Sequence, residues 1–432
     1  MRDTGYRILA DGVTVSNDTW ATGLANHDLI IGPTGGGKTR GYVLPNLLSS
    51  KESFIATDTK GTLRRQVGGI LERRGFRVLE LDFTDLLHSP WGYNPLRFIR
   101  WDAERECWNE QDIITVAAAL VPVTSRTDPF WDLSARNFVE ALISYTLDGL
   151  PQKEHTLVSV ARLFAEAETG TLDGLMGEYC TICPDNFASM RWKAIQGGRK
   201  ADKTYSSTLA ILSQRLSNFS FGGVQAFFLN PNQIDFADIS HTPTAVFLHV
   251  SDSDFSLANL TSLFYTQTLQ ALIAEADSRP DGRLQIPVRL YLDDFANLIV
   301  PDMDKTISVT RSREISVSIA IQSITQLEGL YGHAKAMTII DNCDHMLYLG
   351  GQSVETARFI GVKANKPMST ILDMPLGKAW LFERGALPRE VRKYDLTRHP
   401  LYRQLPEYRA QRTVKEPERV RQHGPEQAAA VY

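Results

Sequence analysis

One glycine-rich octapeptide constrains the fold of this chain more than any other feature. Residues 32–39 read Gly-Pro-Thr-Gly-Gly-Gly-Lys-Thr and directly follow the apolar run Leu29 to Ile31. This pattern is typical of a phosphate-binding loop between a strand and a helix, because glycines let backbone N–H groups approach phosphate oxygens. The helix predicted at about 38–48 would direct its N-terminus at the anion. The chain is therefore predicted to be a P-loop ATPase.

The residue types in the loop predict separate roles. Lys38 would reach the β- and γ-phosphates, and the Thr39 hydroxyl would coordinate Mg²⁺. ATP and Mg²⁺ are therefore the predicted cofactors. The predicted nucleotide-binding residues are Gly32, Pro33, Thr34, Gly35, Gly36, Gly37, Lys38, Thr39 and Arg40.

An acidic pair completes the predicted site. The apolar run Leu290 to Leu292 ends in Asp293 and Asp294, although a strand that ends in an acidic turn is common by itself. Asp293 would hold the Mg²⁺ shell, usually through water, and Asp294 would polarise the attacking water. Many ATPases of this kind carry Glu at the second position. Because Asp is one methylene shorter, we expect looser placement of the base and slower turnover.

Three further polar residues are candidates for catalysis. Gln322 follows the next apolar run, where a side-chain amide could sense the γ-phosphate, or simply end a strand. Arg311 and Arg313 precede that run, and an Arg presented to a neighbouring subunit would stabilise transition-state charge. A solvated arginine at a helix end is the alternative for both.

The order of apolar runs predicts an α/β fold with a central, mainly parallel sheet. Short runs without strict alternation suit strands buried on both faces, and helical patterns separate several of them. Between about 105 and 220 the strand signals stop and six helices are predicted, at 110–120, 130–148, 156–167, 171–178, 186–196 and 203–217. We therefore expect a discontinuous nucleotide-binding domain (1–104 and 221–395), an inserted all-α domain (105–220) and a flexible tail (396–432). The predicted strands are Leu29–Ile31, Phe54–Thr57, Phe76–Leu81, Thr244–Val250, Val288–Leu292, Val317–Ile321, Met346–Leu349 and Ala379–Phe382.

Composition excludes several classes of protein. The 432 residues carry a formal net charge of −4, so a uniformly basic nucleic-acid binder is not indicated. Four cysteines in such a length suit a reducing, intracellular setting rather than a disulfide framework. Cys180 and Cys183 form one C-x-x-C pair, which is half of a zinc site, a redox pair or, more often, two helix residues with thiols. No run is apolar enough for a signal peptide or a membrane span, so a soluble chain is expected.

The order of short motifs resembles one family, the TraG/VirD4 group of type IV secretion coupling proteins. Thr57-Asp58-Thr59-Lys60-Gly61 is similar to the family's Asp-Pro-Lys-Gly, and Asp293 to Asn297 is similar to its Asp-Glu-Phe-Ala-Asn. Each string alone is weak, but their colinearity over most of residues 25–385 is specific. The other strings are Tyr93-Asn94-Pro95-Leu96, Asp128-Pro129-Phe130-Trp131, Gln322 to Leu327, Tyr331-Gly332, Asn342-Cys343 and Glu355-Thr356-Ala357.

The resemblance implies a RecA-like motor domain with an all-helical membrane-distal domain, assembled as a homo-hexameric ring around DNA. It also implies a role, in which the protein brings a relaxase–DNA complex to the secretion channel and uses ATP to drive export. Family members usually begin with membrane-spanning helices. We therefore expect either a soluble branch of the family that docks on a separate membrane anchor protein, or a truncated chain. In both cases the expected location is the cytoplasm, peripheral at the inner face of the bacterial membrane.

Two alternatives to the motor remain. A substrate-recruiting adaptor with weak or no ATPase activity is consistent with Asp294 and the absent anchor. A chromosome or phage DNA pump of the same fold is disfavoured by the Tyr331-Gly332 and Asn342-Cys343 strings.

A contact with DNA, expected to be single-stranded and sequence-independent, needs cationic groups for the phosphates. One basic cluster in the helical segment has interleaved aromatic residues, although a solvated helix face is at least as good an interpretation. It comprises Arg191, Trp192, Lys193, Arg199, Lys200, Lys203 and Tyr205. A second basic group, Arg64, Arg65, Arg73 and Arg74, suits an exterior helix or a subunit contact.

Overall fold

A central sheet organises the chain. The computed structural model describes residues 5–123, 129–198, 202–293, 295 and 299–409. Within these ranges nine strands form one sheet, and two small hairpins stand apart from it. The strands are β1 (Tyr6–Ala10), β2 (Val13–Ser16), β3 (Asp28–Ile31), β4 (Ser53–Asp58), β5 (Arg77–Asp82), β6 (Trp101–Asp102), β7 (Cys107–Trp108), β8 (Thr244–His249), β9 (Val288–Leu292), β10 (Ile315–Ile321), β11 (His345–Tyr348), β12 (Lys378–Glu383) and β13 (Arg389–Arg392).

The order of strands in the sheet is β13-β12-β11-β3-β10-β9-β4-β8-β5. The strands from β11 to β5 pair in parallel, whereas β12 and β13 are added antiparallel at one edge. The α/β class and all eight sheet strands predicted from apolar runs are confirmed. The ninth strand, β13, was not predicted because its residues, Arg389 to Arg392, are mostly exposed and charged.

Helices connect the strands and fill the long interval between β7 and β8. The six helices predicted there are confirmed, and most of their ends lie within about two residues of the predicted ends. Helix α7 ends four residues later than predicted. Helix α10 was not predicted. The domain boundaries stay a prediction, since the helices share one apolar core with the sheet. The helices are α1 (Thr19–Thr22), α2 (Leu44–Ser49), α3 (Leu63–Arg73), α4 (Glu110–Leu120), α5 (Phe130–Gly149), α6 (Leu157–Thr169), α7 (Thr171–Ile182), α8 (Phe187–Gly198), α9 (Asp202–Leu216), α10 (Gly222–Phe228), α11 (Ala258–Ser278), α12 (Met303–Val309), α13 (Ile324–Tyr331), α14 (His333–Asp341), α15 (Val354–Ala364) and α16 (Met368–Leu372).

The two faces of the sheet pack against different layers. Alternate residues of β3 illustrate this: Leu29 and Ile31 belong to the core shared with α4–α16, and Ile30 belongs to the core shared with α2 and α3. Because both faces are covered, the central strands read as continuous apolar runs rather than alternating ones. No helix in the described ranges combines the length and apolar character needed to cross a bilayer.

A buried ionic cluster joins the strands near their amino ends, whereas the phosphate loop lies at their carboxyl ends. Asp28, at the start of β3, accepts bonds from Arg7 Nε at 2.7 Å and Arg289 Nη1 at 3.4 Å. Tyr42 donates its hydroxyl hydrogen to the same carboxylate, and His345 Nδ1 lies 3.1 Å from it. Burial alone would raise the pKa of Asp28, but Arg7, His345 and Arg289 outweigh burial and hold it below its usual value.

The segment predicted to be a flexible tail begins with packed residues. Leu396, Tyr402 and Leu405 are buried in the core beside α2 and α3. The structure differs from the prediction here because the polar composition of 396–432 as a whole concealed three well-spaced apolar anchors. Residues 410–432 lie outside the described part of the chain.

The first prediction concerns the ionic cluster. Asp28→Asn leaves Arg7 and Arg289 buried with less counter-charge, which we expect to lower the free energy of unfolding by about 3–5 kcal/mol. Denaturant titration measures it. The matched control is Glu355→Gln, whose ion pair with Arg358 is about 60% exposed on both sides and should cost under about 1 kcal/mol. Equal losses for the two variants would contradict the prediction.

Buried His27 gives a second prediction. Its Nδ1 accepts from the Val317 N–H at 3.0 Å, and burial, together with Arg289, lowers the pKa of His27 to about 3. Since an unfolded histidine keeps its pKa near 6.5, the unfolded chain binds a proton in this window that the folded chain does not. Stability should therefore fall as the pH falls from about 6.5, by up to roughly 1.4 kcal/mol per pH unit. Denaturant titrations from pH 8 to 5 should show a shallower slope for His27→Asn; an unchanged slope would contradict this account.

Candidate nucleotide-binding site

The loop at 32–39 lies at the carboxyl end of β3 and uses its glycines for two separate reasons. A Cβ at Gly32 would lie 2.9 Å from the Cβ of Leu349, so only glycine allows this approach of the backbone to β11. Gly35 and Gly37 have φ angles of +74° and +100°, a region that side chains with a Cβ rarely adopt. The local sequence thus determines the curvature of the loop.

Lys38 is held inside the loop. Its side chain is buried, and Nζ donates to the carbonyl oxygens of Gly32 at 2.8 Å and Pro33 at 3.4 Å. An ammonium enclosed by the loop backbone is positioned for an anion that the same loop surrounds.

A turn of π-helix follows the loop. Residues Thr39–Val43 have this geometry, and Leu44 donates to the carbonyl of Thr39, five residues earlier. Pro45, at the start of α2, lacks the N–H that a regular helix would need there, which favours the wider turn. The loop therefore continues into helical backbone, as predicted, with its first N–H groups directed to the loop.

The acidic strand end meets the loop. Thr39 donates its hydroxyl hydrogen to Asp293 Oδ2 at 2.8 Å, across a sequence separation of 254 residues. Asp293 comes directly after β9, and β10 lies between β9 and β3 in the sheet. The two oxygens are of the hard type that Mg²⁺ prefers, and Mg²⁺ keeps several waters, so the pair fits this ion. Asp294, the predicted base, lies outside the described residues.

Gln322 lies at the tip of β10, between the loop strand and the acidic strand. It is exposed, and its backbone N–H donates to Gln326 Oε1 at 3.1 Å. Gln322 lines a cavity of about 200 Å³ together with Pro33 of the loop and Gly351 after β11. The structure therefore brings Gln322 to the predicted site.

Arg311 and Arg313 lie elsewhere. Both precede β10, whereas the loop lies at the carboxyl ends of the parallel strands, so they occupy the opposite edge of the sheet. Arg313 forms two bonds with Asp277, at 2.7 and 3.0 Å, and Arg311 is exposed. Neither reaches the loop of its own chain, and a role toward a neighbouring subunit stays a prediction.

One of the two aromatic residues in the basic cluster of the helical segment is buried. Trp192 is 3% exposed and packs edge-on against Phe138, because it faces the helical core. Arg191 lies 2.7 Å from the buried carboxylate of Glu140. The Trp192 ring is therefore not accessible for stacking on bases, and a DNA contact of the cluster through its cations stays a prediction. Arg199 and Lys200 lie outside the described residues, as does the side chain of Lys203.

The second basic group behaves as an exterior helix. Arg64 pairs with Glu72 at 3.0 Å on the surface of α3, and Arg74 donates to the carbonyl of Ser50 at 2.6 Å.

Cys180 and Cys183 are free thiols. Among the described residues no group of three or more His, Cys, Asp or Glu side chains could hold a metal ion.

Several of the family-like strings hold the structure around the site. Phe295 stacks on Tyr331, with ring centroids 5.7 Å apart, and Thr356 Oγ1 accepts from the backbone N–H of Ile324 at 3.2 Å, beside Gln322. Asp58 accepts from the backbone N–H of Leu63 at 2.6 Å, which begins α3. These residues position the segments that carry the candidate site.

Tyr93-Asn94 joins the sheet to the helical segment. Tyr93 is fully buried and donates to Gln267 in α11. Asn94 accepts from the Leu96 N–H at 3.1 Å and donates to the carbonyl of His155 at 2.8 Å. This string therefore has a structural role where the sheet meets the helical segment.

Two contacts to the loop region were missed by sequence reasoning. Lys393 Nζ donates to the carbonyl of Gly36 at 3.0 Å, and Glu407 forms a bidentate pair with Arg40 at 2.6 and 3.0 Å. Glu407 raises the pKa of Arg40, which is half-exposed. No local signal marks these residues, because the contacts join segments more than 350 residues apart in sequence.

The fold and the site together define a class. A phosphate loop after β3, an acidic residue after β9 and a strand between them make this a RecA-like P-loop NTPase fold. The chain belongs to the type IV secretory system conjugative DNA transfer family, whose sequence profile matches residues 3–364.

Curated relatives agree with this assignment. The chain is 25% identical over 346 residues to the protein VirD4 of Agrobacterium fabrum, covering 77% of this chain and 48% of that protein. It is 24% identical over 277 residues to the coupling protein TraD of Escherichia coli K12, covering 62% of this chain and 35% of that protein. The chain thus spans about half the length, or less, of these relatives.

Solved structures show the same fold. The plasmid coupling protein TrwB in complex with the ATP analogue ADPNP superposes with a TM-score of 0.67 at 17% identity, covering 91% of this chain and 90% of that one. VirB4 of Thermoanaerobacter pseudethanolicus superposes with a TM-score of 0.54 at 13% identity, covering 91% and 97%.

The geometry of the loop gives a third prediction. Gly37→Ala places a Cβ at a positive φ, which should cost about 1–2 kcal/mol of stability and displace the loop N–H groups. Binding of inorganic tripolyphosphate, measured by calorimetry, should weaken at least about tenfold. Gly12→Ala is the matched control, since Gly12 has φ +70° and an open surrounding in the β1–β2 hairpin. It should cost similar stability and leave binding intact; equal binding by both variants would refute the prediction.

Proposed function

We propose that this chain binds and hydrolyses ATP with Mg²⁺ as the motor part of a conjugative coupling protein. The observation that carries the proposal is the 2.8 Å contact between Thr39 of the loop and Asp293 of the acidic strand. It joins a phosphate site to a metal-binding carboxylate, which is the arrangement that phosphoryl transfer requires. Family membership and the TrwB complexes with ADPNP and with ADP and Mg²⁺ support it.

Each residue has a proposed role. Lys38 binds the β- and γ-phosphates, and the loop N–H groups from Gly35 to Thr39 surround them. Thr39 and Asp293 hold Mg²⁺, which would neutralise phosphate charge when bound. Gln322 senses the γ-phosphate from the tip of β10. Asp294 is proposed as the base that orients water.

We propose that a second copy of the chain supplies a further cation, an arginine, to the phosphates. Arg313 is held by Asp277 in its own chain, whereas Arg311 is exposed, so Arg311 is the better candidate of the two. Its position at the opposite edge of the sheet from the loop requires that any contact with phosphate come from a neighbouring subunit, as in the expected homo-hexamer.

The proposed cellular role follows the family. The chain would bring a relaxase bound to single-stranded DNA to the type IV secretion channel and drive transfer by ATP turnover. It would work in the cytoplasm, peripheral at the inner face of the bacterial membrane, with a membrane anchor on a longer form of the chain or on a separate protein. Because Trp192 is buried, DNA contact is proposed to rest on cations and not on that ring.

A substrate-recruiting adaptor is the second candidate function. The shorter carboxylate at Asp294 favours it, because a base set back by one methylene would reach the water less well. The two candidates differ in whether nucleotide turnover accompanies substrate binding.

ATP turnover tests the proposal. We expect wild-type hydrolysis to depend on Mg²⁺ and to rise when single-stranded DNA is added, whereas Lys38→Ala should lose about 100-fold or more in kcat. Release of phosphate is measured with no DNA, single-stranded DNA and double-stranded DNA. Lys305→Ala, a change at a 75% exposed lysine, is the control and should keep full activity. A wild-type rate equal to that of Lys38→Ala in every condition would reject the motor and favour the adaptor.

A further inference from the structure

A segment beyond the family match wraps the phosphate loop. Residues 393–407, which we call the C-terminal strap, follow β13, whereas the family profile ends at residue 364. The strap is anchored by the buried side chains Leu396, Tyr402 and Leu405 and by the Arg40–Glu407 pair. Ser49, at the end of α2, bonds to His399 Nε2 at 2.9 Å. The strap is therefore held along the whole helix that follows the loop.

The strap places a second ammonium beside the loop. Lys393 Nζ lies 3.0 Å from the carbonyl oxygen of Gly36, in the middle of the octapeptide. The side chain is half-buried, and burial lowers the pKa of Lys393. A lysine carries three N–H donors, and Gly36 takes one of them. Among the described residues, Lys38 and Lys393 are thus two ammonium groups that donate to carbonyls of this loop.

A cavity of about 150 Å³ separates the strap from the loop. Its polar lining includes Gly37, Arg40 and Gly41 of the loop region and Lys393, Tyr394 and Asp395 of the strap. The apolar part of the lining consists of Leu9, Leu347, Leu349 and Leu396. An apolar lining with one aromatic residue and a few polar groups is the chemistry that receives part of a nucleoside.

The position of this cavity gives the direction of a bound nucleotide. Asp293 and Gln322 belong to β9 and β10, which lie on one side of β3, and they mark the end that carries the metal and the terminal phosphate. The strap approaches from the other side of β3, after β11, β12 and β13. A nucleoside triphosphate with its phosphates in the loop would therefore extend its sugar and base toward the strap.

We propose that the C-terminal strap receives the nucleoside end of the nucleotide, and that Lys393 and Tyr394 recognise it. The Arg40–Glu407 pair holds the strap against the loop. This inference rests on the proposed nucleotide-binding function. It makes the strap a determinant of which ligand binds, because a phosphate chain without a nucleoside uses the loop alone.

Two ligands and two lysines test the inference. Calorimetry with Mg²⁺ measures the binding of ATP and of inorganic tripolyphosphate to the full chain. Lys393→Met should weaken ATP binding about tenfold or more, the cost of a lost bond from a charged donor, and change tripolyphosphate binding less than about twofold. Lys378→Met, which removes a surface lysine of β12 paired with Glu390, is the matched control and should change neither affinity.

The outcomes separate this inference from the proposed function. Normal tripolyphosphate binding by Lys393→Met shows that the variant is folded with an intact loop. Equal weakening of both ligands would mean that Lys393 only braces the loop, and unchanged ATP binding would mean that the strap does not contact the nucleoside; either result overturns the inference. Lys38→Ala should lose both ligands, and its failure to do so would reject the nucleotide site itself.

Discussion

One buried carboxylate, Asp28, ties the strand before the phosphate loop to several of the elements around the candidate site. Asp28 begins the strand that delivers the phosphate loop, and it is bonded to residues of β1, β9 and the turn that follows the loop: Arg7, Arg289 and Tyr42. Burial of an ion is costly unless partners surround it, so these partners can be satisfied in few arrangements. The cluster therefore specifies the register of neighbouring strands at the edge opposite the loop.

The register of the strands at their amino ends determines how the site residues are placed at their carboxyl ends. Parallel strands have their carboxyl ends at a common edge, so a fixed start for β3, β10 and β9 places the loop, Gln322 and Asp293 side by side. The 2.8 Å contact of Thr39 with Asp293 is the consequence. A shift of one residue in β9 would turn this carboxylate to the other face of the sheet.

The helical segment and the strap cover opposite faces of this sheet. The helices cover one face through a shared apolar core, and the family-like strings there hold joints such as Tyr93 with Gln267. The strap covers the helix after the loop on the other face, beyond the region that matches the family. The family match thus covers the phosphate loop and the strands from β3 to β11, whereas β12, β13 and the strap follow the matched region.

The sequence by itself determined the loop, the eight apolar sheet strands, the six predicted helices between β7 and β8 and the approach of Thr39 to Asp293. These follow from local rules: glycines where φ is positive, apolar runs where both faces are covered, and carboxylates at strand ends. Only the tertiary structure decided that Trp192 is buried, that Arg311 and Arg313 lie across the sheet from the loop, and that Lys393 reaches Gly36. These features depend on contacts between segments that are distant in sequence. The type of a residue does not predict which distant segment the fold places beside it.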